Sequence, residues 1–282
     1  MTAHSPSSNG SPLGTTWELP GPTWLFCPAD RPERYEKAAA AADVVIIDLE
    51  DAVAPGDKAA AREALLGSSL PSERVVVRVN AATTEDFALD LDALARTPYR
   101  RVMLPKCESP EQVSALTAFE VIALIESPLG VLTVPETARA DNVIGTMWGA
   151  EDLVAGLGGS ASRHPDGSYR DIARHLRSTT LLAAKAYGKL ALDGVYLNFR
   201  DLDGLRTESE DAVAVGFDVK VAIHPSQTKV IREAYTPDPD QLDWARRVLA
   251  EVPNNRGVFA FEGRMVDGPV IQHAQRILRR GE

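Results

Sequence analysis

The sequence predicts an α/β protein folded as a (β/α)8 TIM barrel with a C-terminal helical extension. Eight short apolar segments alternate with eight helical patterns along a chain of 282 residues. Segments such as Val-Val-Ile-Ile at 44–47 are apolar throughout, which is typical of parallel strands buried on both faces. A doubly wound open sheet is the alternative, but the Gly-x-Gly-x-x-Gly turn expected after its first strand is missing. Eight strand–helix units therefore favour the closed barrel.

Each strand is predicted from a short apolar run, and each helix from the periodic pattern that follows it. The strands are expected at residues 23–27, 44–48, 75–79, 101–104, 121–125, 143–148, 190–196 and 219–223. The helices are expected at residues 33–41, 58–66, 85–95, 110–116, 132–138, 171–187, 205–215 and 226–234. A long loop is expected after the sixth strand. Beyond the eighth unit, helices at 241–251 and 270–279 are predicted to flank a loop at 254–268.

This pattern divides the chain into three regions. Residues 1–22 are rich in Ser, Pro, Gly and Thr, lack the apolar run of a signal peptide, and are predicted to form a disordered tail. Residues 23–236 are predicted to form the barrel. Residues 237–282 are too few for an independent core, so we expect this extension to cap the barrel, or that of a neighbouring subunit.

The composition indicates a cytoplasmic globular protein. A net charge of −10 repels phosphate backbones and disfavours nucleic-acid binding. The longest apolar stretches are far too short to span a bilayer, so no membrane association is expected. The two cysteines, Cys27 and Cys107, cannot form a disulfide framework and are expected to be buried thiols.

Polar side chains follow nearly every predicted strand. In a barrel the C-terminal ends of the strands share one rim, and that rim carries the chemistry. In chain order they are Asp48, Glu50 and Asp51; Arg78 and Asn80; Lys106; Glu126; Gly149, Ala150, Glu151 and Asp152; Asn198 and Arg200; and His224 and Gln227. The sequence therefore predicts an active site at this mouth.

Two of these carboxylates suit a divalent cation. Glu126 and Asp152 each closely follow a central strand, and Mg²⁺ usually takes one or two carboxylates with water and substrate as its other ligands. For Asp152, capping of the following helix is an equally good interpretation. Zn²⁺ is disfavoured because no Cys/His cluster has ligand spacing. A metal beside an arginine can hold an α-keto acid, whereas Lys106 is a weak candidate for Schiff-base chemistry and can equally pair with a carboxylate.

Seven motifs, in order along nearly the whole chain, resemble those of the citrate lyase β-subunit-like proteins of the HpcH/HpaI aldolase family. They are Leu-Phe-Cys-Pro-Ala-Asp-Arg-Pro-Glu-Arg at 25–34, Asp-Leu-Glu-Asp-Ala-Val at 48–53, Val-Arg-Val-Asn at 77–80, Leu-Pro-Lys at 104–106, Ala-Leu-Ile-Glu-Ser at 123–127, Gly-Ala-Glu-Asp-Leu at 149–153 and Ile-His-Pro-Ser-Gln at 223–227. The segment Phe-Glu-Gly-Arg-Met-Val-Asp at 261–267 completes the match.

The resemblance implies a Mg²⁺-dependent lyase that cleaves or forms the C–C bond of a 3-hydroxyacyl-CoA thioester such as malyl-CoA or citramalyl-CoA. The products are an α-keto acid and an acyl-CoA. It also implies a homo-oligomer, a trimer or a multiple of a trimer. The family's C-terminal segment is present here, which favours a stand-alone acyl-CoA lyase.

Site residues carry over position by position from the resemblance. Glu126 and Asp152 match metal ligands, and Arg78 matches the arginine that contacts the keto-acid or thioester oxygens. Asp267 matches a catalytic acid/base that in several relatives reaches into a neighbouring subunit. The expected catalytic residues are Arg78, Asp267 and Glu50, and the expected substrate-binding residues are Arg78, Glu126, Gly149, Ala150 and Asp51. Alternatively, Asp267 caps the helix that begins near Pro269.

Two other functions stay open at this point. One is a citrate lyase β-type subunit that acts on an acyl-carrier-bound thioester. The other is a non-catalytic acyl-CoA-binding barrel, against which the presence of Arg78, Glu126, Asp152 and Asp267 argues.

Overall fold

The computed structural model describes residues 17–255 and 257–281, and it shows a closed barrel of eight parallel strands in chain order. Residues Thr23 and Lys220 pair across the seam between the first and last strands. The strands are β1 (Thr23–Pro28), β2 (Val44–Asp48), β3 (Val75–Arg78), β4 (Arg101–Leu104), β5 (Glu120–Ile125), β6 (Val143–Trp148), β7 (Leu190–Asp193) and β8 (Val219–Ala222). The predicted TIM barrel is confirmed.

Helices surround the barrel in the predicted alternation. They are α1 (Tyr35–Ala41), α2 (Lys58–Leu66), α3 (Glu85–Ala95), α4 (Pro110–Ser114), α5 (Pro128–Arg139), α6 (Ala150–Gly156), α7 (Asp171–Ala186), α8 (Leu202–Val215) and α9 (Pro225–Tyr235). The extension adds α10 (Pro239–Glu251), a hairpin of β9 (Phe259–Phe261) and β10 (Arg264–Val266), and α11 (Gly268–Gly281).

The apolar strands are buried on both sides because each side chain meets a different layer. In β2, Val44 and Ile46 pack inside the barrel with Trp24. Val45 and Ile47 point the other way and join the larger cluster between strands and helices. Alternating directions along a strand, with both faces covered, explain why the sequence of β2 shows no polar alternation.

Two regions predicted as loops contain regular structure. Helix α6 lies within the predicted loop after β6, and its seven residues are too few to show helical periodicity. The β9–β10 hairpin lies within the predicted loop at 254–268, and its strands have three residues each. The hairpin turn is made by Glu262 and Gly263, both with positive φ, a conformation that two-residue hairpin turns favour.

The ordered chain starts before Thr23. Trp17 packs edge-on against Trp24, with ring centroids 5.7 Å apart, and donates a hydrogen bond to the carbonyl of Glu73. The guanidinium of Arg101 lies 4.2 Å above the Trp17 ring. Residues 17–22 are therefore attached to the barrel. The remainder of the predicted tail, residues 1–16, lies outside the described residues.

The C-terminal extension has a small apolar cluster of its own, although its length argues against one. The cluster contains Ala245, Val248, Val266, Ala274 and Ile277. It forms because α10 and α11 pack on each other and the hairpin covers one end. Capping of a barrel by this unit stays a prediction. Among the described residues, no helix combines the length and the apolar character needed to cross a membrane.

Candidate active site

The C-terminal ends of the strands enclose a cavity of about 360 Å³, here called the mouth cavity. It is lined by Phe26, Pro28, Asp48, Asp51, Ala52, Arg78, Leu124, Glu126, Met147, Trp148, Gly149, Ala150, Glu151, Asp152, Tyr169, Gly194, Val195, Leu197 and Ile223. Six of the eight predicted site residues are among them. The exceptions are Glu50 and Asp267.

Arg78, at the end of β3, is fixed by carboxylates on three of its nitrogens. Its Nε and Nη2 donate to the two oxygens of Asp48 at 2.7 and 2.6 Å. Its Nη1 lies 2.9 Å from Oε2 of Glu50. These contacts raise the pKa of Arg78 even though its burial alone would lower it. The result is a permanent positive charge with a planar fork at the cavity wall.

Glu50 lies behind the cavity and connects the two cationic side chains of the mouth. It is buried, and its Oε1 lies 2.5 Å from Nζ of Lys106. Burial raises the pKa of Glu50, and Arg78 and Lys106 oppose that rise. Glu50 is not among the residues that line the cavity, and its contacts hold Arg78 and Lys106 in place. A catalytic role for Glu50 stays a prediction.

Lys106 adopts a left-handed backbone conformation with φ 48°, which is uncommon for a residue other than glycine. This conformation turns its N–H toward Glu126, whose Oε1 accepts the bond at 3.0 Å. Its Nζ lies between Glu50 and Asp152, at 2.5 and 3.5 Å. Burial alone would lower the pKa of Lys106, but the bond to Glu50 and the nearby carboxylates raise it above its usual range. A protonated amine is no Schiff-base nucleophile, so Lys106 belongs to the carboxylate cluster.

Glu126 and Asp152 face the same cavity, and neither caps a helix. Ser127 caps α5 by accepting from the N–H of Gly130. Asp152 lies in the first turn of α6 without a capping bond, and its carboxylate contacts Lys106. Burial raises the pKa of Glu126 to about 8, helped by the negative charges of Asp152 and Glu50. A buried carboxylate beside another of the same sign is the arrangement that a cation stabilises.

The close approach of Gly149 gives Glu126 its position. A Cβ at Gly149 would lie 2.7 Å from Oε2 of Glu126 and 3.0 Å from its Cβ. Only glycine leaves room for the Glu126 side chain there. The Gly149 N–H donates to the carbonyl of Ile125 at 2.9 Å, so it is not available to a substrate carboxylate, contrary to the sequence-based prediction. Ala150 begins α6, where the first N–H groups have no partner within the helix.

The donor set fits Mg²⁺ better than Zn²⁺. Glu126 and Asp152 offer hard carboxylate oxygens, while Asp51 lines the same cavity and is 57% exposed. Within residues 17–255 and 257–281, no three His, Cys, Asp or Glu side chains form a complete metal-binding group. A cation held by Glu126 and Asp152 would therefore take its other ligands from water or substrate, as Mg²⁺ commonly does.

Asp267 is not among the residues that line the mouth cavity of its own chain. Its carboxylate accepts a 3.3 Å hydrogen bond from the N–H of Val270, and its carbonyl accepts from the N–H of Ile271. It therefore caps α11, which is the alternative interpretation of this residue. A catalytic role for Asp267 stays a prediction.

Two residues at the site were missed by the sequence analysis. Lys58 of α2 is buried, and its Nζ donates to the carbonyls of Leu49 and Glu50 and to Oδ1 of Asn80, each at 2.7 Å. A lysine on the same helix face as buried Ala61 and Leu65 was the available signal. Tyr169 lines the cavity from a polar, glycine-containing loop, where the sequence carries no signal.

His224 has a structural role. Its Nδ1 accepts from the N–H of Ser226 and caps α9, and its ring stacks on Phe199 with centroids 5.0 Å apart. Gln227 is buried and donates to the carbonyl of Tyr196. These contacts fix the loops after β7 and β8.

Comparison with known proteins gives consistent results. The family model described as HpcH/HpaI aldolase/citrate lyase matches residues 23–225. A citrate lyase subunit beta-like protein of Mycobacterium tuberculosis is 61% identical over 260 residues, 92% of this chain and 95% of that protein. The mitochondrial citramalyl-CoA lyase of Mus musculus is 30% identical, over 90% of this chain and 84% of that protein. The crystal structure of M. tuberculosis CitE with magnesium, acetoacetate and coenzyme A matches at a TM-score of 0.89 and 61% identity, over 93% of this chain and 98% of that one.

Proposed function

Because the chain belongs to the HpcH/HpaI aldolase/citrate lyase family and is thus a carbon–carbon lyase, we propose that it acts on a 3-hydroxyacyl-CoA thioester such as malyl-CoA or citramalyl-CoA. In this proposal the enzyme cleaves or forms the C2–C3 bond with Mg²⁺, and the products of cleavage are an α-keto acid and an acyl-CoA. The family resemblance found in the sequence is confirmed. The observation that carries the substrate proposal is the joint exposure of Arg78, Glu126 and Asp152 to one cavity.

The charged side of the cavity suits the oxygen atoms of the keto-acid half. Mg²⁺ bound by Glu126 and Asp152 would supply positive charge for the carboxylate and carbonyl oxygens. Arg78 is held rigid by Asp48 and Glu50, so its remaining N–H groups are pre-oriented to balance charge that develops on an oxygen as the bond breaks. We assign Glu50 and Lys58 the role of positioning this side of the mouth.

Two relatives support the choice of a CoA thioester. The relative in Mus musculus is named a citramalyl-CoA lyase, and the CitE structure contains both acetoacetate and coenzyme A. A citrate lyase subunit would instead need an acyl-carrier partner. A non-catalytic binding protein would have no need for the fixed Arg78 and the adjacent Glu126 and Asp152.

A substrate screen tests the proposal. Purified protein is incubated with free malyl-CoA, citramalyl-CoA and related 3-hydroxyacyl-CoA thioesters with Mg²⁺, and the released keto acid is measured. We expect equal amounts of keto acid and acyl-CoA, abolition by EDTA, and recovery with Mg²⁺ or Mn²⁺. Activity only on acyl-carrier-bound thioesters would support the citrate lyase subunit. No turnover on either form would support a binding protein.

We further propose that Asp267 completes the active site of a neighbouring subunit in a homo-oligomer, with a trimer favoured. In this proposal Asp267 protonates the enolate carbon of the acyl-CoA in cleavage and removes that proton in condensation. Its support is the family resemblance, together with the position of Asp267 outside its own mouth cavity. A cytoplasmic location likewise stays a prediction from the sequence.

The variant Asp267→Asn separates the catalytic role from capping, because Asn caps helices as well as Asp but carries no acid. We expect it to keep its melting temperature and to lose activity. Co-assembly with Glu126→Ala should restore partial activity, because some sites then receive both intact residues. Mixed oligomers that form and stay inactive would contradict completion by a neighbour. Full activity of Asp267→Asn alone would contradict a catalytic role.

A further inference from the structure

The segment between α6 and α7, residues 157–170, forms a compact flap beside the mouth cavity. Its tip is closed by a bridge between Arg163 and Tyr169 and by a 2.8 Å hydrogen bond from the N–H of His164 to the carbonyl of Ser168. Its base is anchored to α6, because the Ser162 hydroxyl donates to Glu151. The flap is therefore held against Glu151, which lines the cavity together with its α6 neighbours Ala150 and Asp152.

Tyr169 is the residue of the flap that lines the cavity, and its ring is held by two contacts. The guanidinium of Arg163 lies 3.6 Å from its ring centroid, and the Trp148 ring packs against it in a T-shaped arrangement with centroids 5.1 Å apart. Arg163 also forms an ion pair with Glu208 of α8. A stacked guanidinium and a T-shaped aromatic neighbour are both favourable contacts for a phenol ring. These contacts fix the ring at the cavity.

The lining of the mouth cavity combines charged and apolar groups. Arg78 and the carboxylates supply the charge. An apolar set comes from β6, from the flap and from the segments after β7 and β8, and consists of Met147, Trp148, Tyr169, Val195, Leu197 and Ile223. In an aldol-type substrate the oxygens suit the charged groups, and an alkyl substituent on the two reacting carbons suits the apolar set.

Within that apolar set, Tyr169 comes from the flap, Met147 and Trp148 belong to β6, and Val195, Leu197 and Ile223 follow β7 and β8. Removing the Tyr169 ring would therefore enlarge the cavity without altering a barrel strand.

We propose that Tyr169, clamped by Arg163, is a specificity-determining residue that limits the alkyl substituents on the two reacting carbons to small groups. The inference rests on the proposed function and adds the substrate size class to it. The substituent can come from the keto-acid half or from the acyl-CoA half. In both cases an alkyl group lies against the ring of Tyr169.

The test measures condensation, so that each half is varied alone. One series pairs acetyl-CoA with glyoxylate, pyruvate or 2-oxobutyrate, and the other pairs pyruvate with acetyl-, propionyl- or butyryl-CoA. The wild type is compared with Tyr169→Ala and Tyr169→Phe, and kcat/KM is measured for each pair. Tyr187→Ala removes a tyrosine ring that does not line the cavity and serves as the control.

In Tyr169→Ala we expect the kcat/KM ratio of the largest to the smallest substrate to rise about 10-fold or more in at least one series, since one methylene in an apolar pocket discriminates by roughly 10–200-fold. The series that responds identifies which half lies against the ring. Tyr169→Phe keeps the ring and should keep the wild-type ratios, as should Tyr187→Ala. If Tyr169→Ala does not fold, Tyr169→Leu removes the ring with the same expected direction.

Unchanged ratios in both series for a folded ring-deletion variant would overturn the inference and leave the proposed function intact. A shift in Tyr169→Phe equal to that in Tyr169→Ala would also overturn it, because the hydroxyl and not the ring would then set the preference. A wild type that condenses or cleaves no member of either series refutes the proposed function itself, and the inference with it.

Discussion

Two clusters of charged side chains lie on opposite sides of the barrel wall, and they differ in the balance of positive and negative charge. The mouth cluster contains five carboxylates, Asp48, Glu50, Asp51, Glu126 and Asp152, and two cationic side chains within ion-pair distance, Arg78 and Lys106. The outer cluster contains three carboxylates, Asp193, Glu208 and Asp211, and three cationic side chains, Arg163, Arg177 and Lys220. Only the mouth cluster has an excess of negative charge.

The outer cluster shows what a satisfied buried network looks like. Asp193 and Lys220 are each 1% exposed and lie 2.7 Å apart. Asp193 also accepts from Arg177 at 2.9 Å and from the indole of Trp148 at 2.8 Å. Each of these charges has a partner of opposite sign, as a structural role requires.

The mouth cluster differs from the outer cluster because some of its carboxylates face a cavity. Asp152 and Asp51 are 41% and 57% exposed, and both face the cavity. The excess charge of this cluster suits a divalent cation and an anionic substrate with Arg78 beside it. The comparison predicts that changes in the outer cluster alter stability, whereas changes in the mouth cluster alter cation binding and turnover.

The largest effect is expected from Asp193→Asn. It removes the carboxylate that lies 2.7 Å from Lys220 and 2.9 Å from Arg177, and leaves Lys220 with Glu208 at 3.7 Å and Arg177 with the exposed Asp211. Breaking a buried ion pair typically costs about 3–5 kcal/mol of unfolding free energy. Urea denaturation measures the loss. Asp171→Asn is the matched control, because its side chain is 92% exposed and such substitutions usually change stability by about 0.5 kcal/mol or less. A loss below about 1 kcal/mol for Asp193→Asn would show that the outer cluster is not a stabilising network.

Arg78→Lys tests the mouth cluster. Lys keeps the positive charge but loses the planar guanidinium that donates two hydrogen bonds to Asp48. We therefore expect kcat/KM to fall on the order of 10²-fold or more. Arg101→Lys makes the same exchange at the other end of the barrel, where β4 begins, and should leave kcat/KM unchanged. Near wild-type kinetics for Arg78→Lys would assign Arg78 to a structural role.

A smaller effect is expected from Gly149→Ala. The added methyl group meets Oε2 of Glu126 at 2.7 Å, so the carboxylate must move. Displacing a group that orients a ligand typically weakens metal affinity about 10–100-fold. Gly56→Ala adds the same methyl group in open space and should bind the cation as the wild type does. Equal affinities for the two variants would contradict the role given to Gly149.

The smallest effect is expected for the pH dependence of the stability that Asp193 contributes in the outer cluster. Burial alone would raise the pKa of Asp193, but Lys220 and Arg177 lower it below the usual value of 3.8. A lowered pKa gives stability that is present above the unfolded-state value and is lost as the pH falls through the folded-state value. The difference in unfolding free energy between the wild type and Asp193→Asn should stay constant from pH 7 to pH 5 and shrink below about pH 4. Shrinkage already between pH 7 and pH 5 would mean that this pKa is raised.

The mouth cluster was predictable from the sequence because its residues follow strand ends, which a parallel barrel must bring together. The outer cluster was not, because Asp193 and Lys220 lie within strands and meet only through the register that pairs them. The same limit applies to Tyr169, whose contact with Trp148 depends on the fold of the flap. Gly149 was recognised as a site residue, but its role depends on a spacing that only the structure gives.

We propose that the excess negative charge at the mouth forms a divalent-cation site with Glu126 and Asp152 as its protein ligands. Binding of Mn²⁺, measured by electron paramagnetic resonance and competed with Mg²⁺, tests it without relying on turnover. We expect one site per chain in the wild type, an affinity weaker by about 100-fold or more in Glu126→Gln and Asp152→Asn, and wild-type affinity in folded Asp193→Asn. Unchanged Mn²⁺ affinity in Glu126→Gln and Asp152→Asn, or no Mn²⁺ bound to the wild type, would contradict the claim.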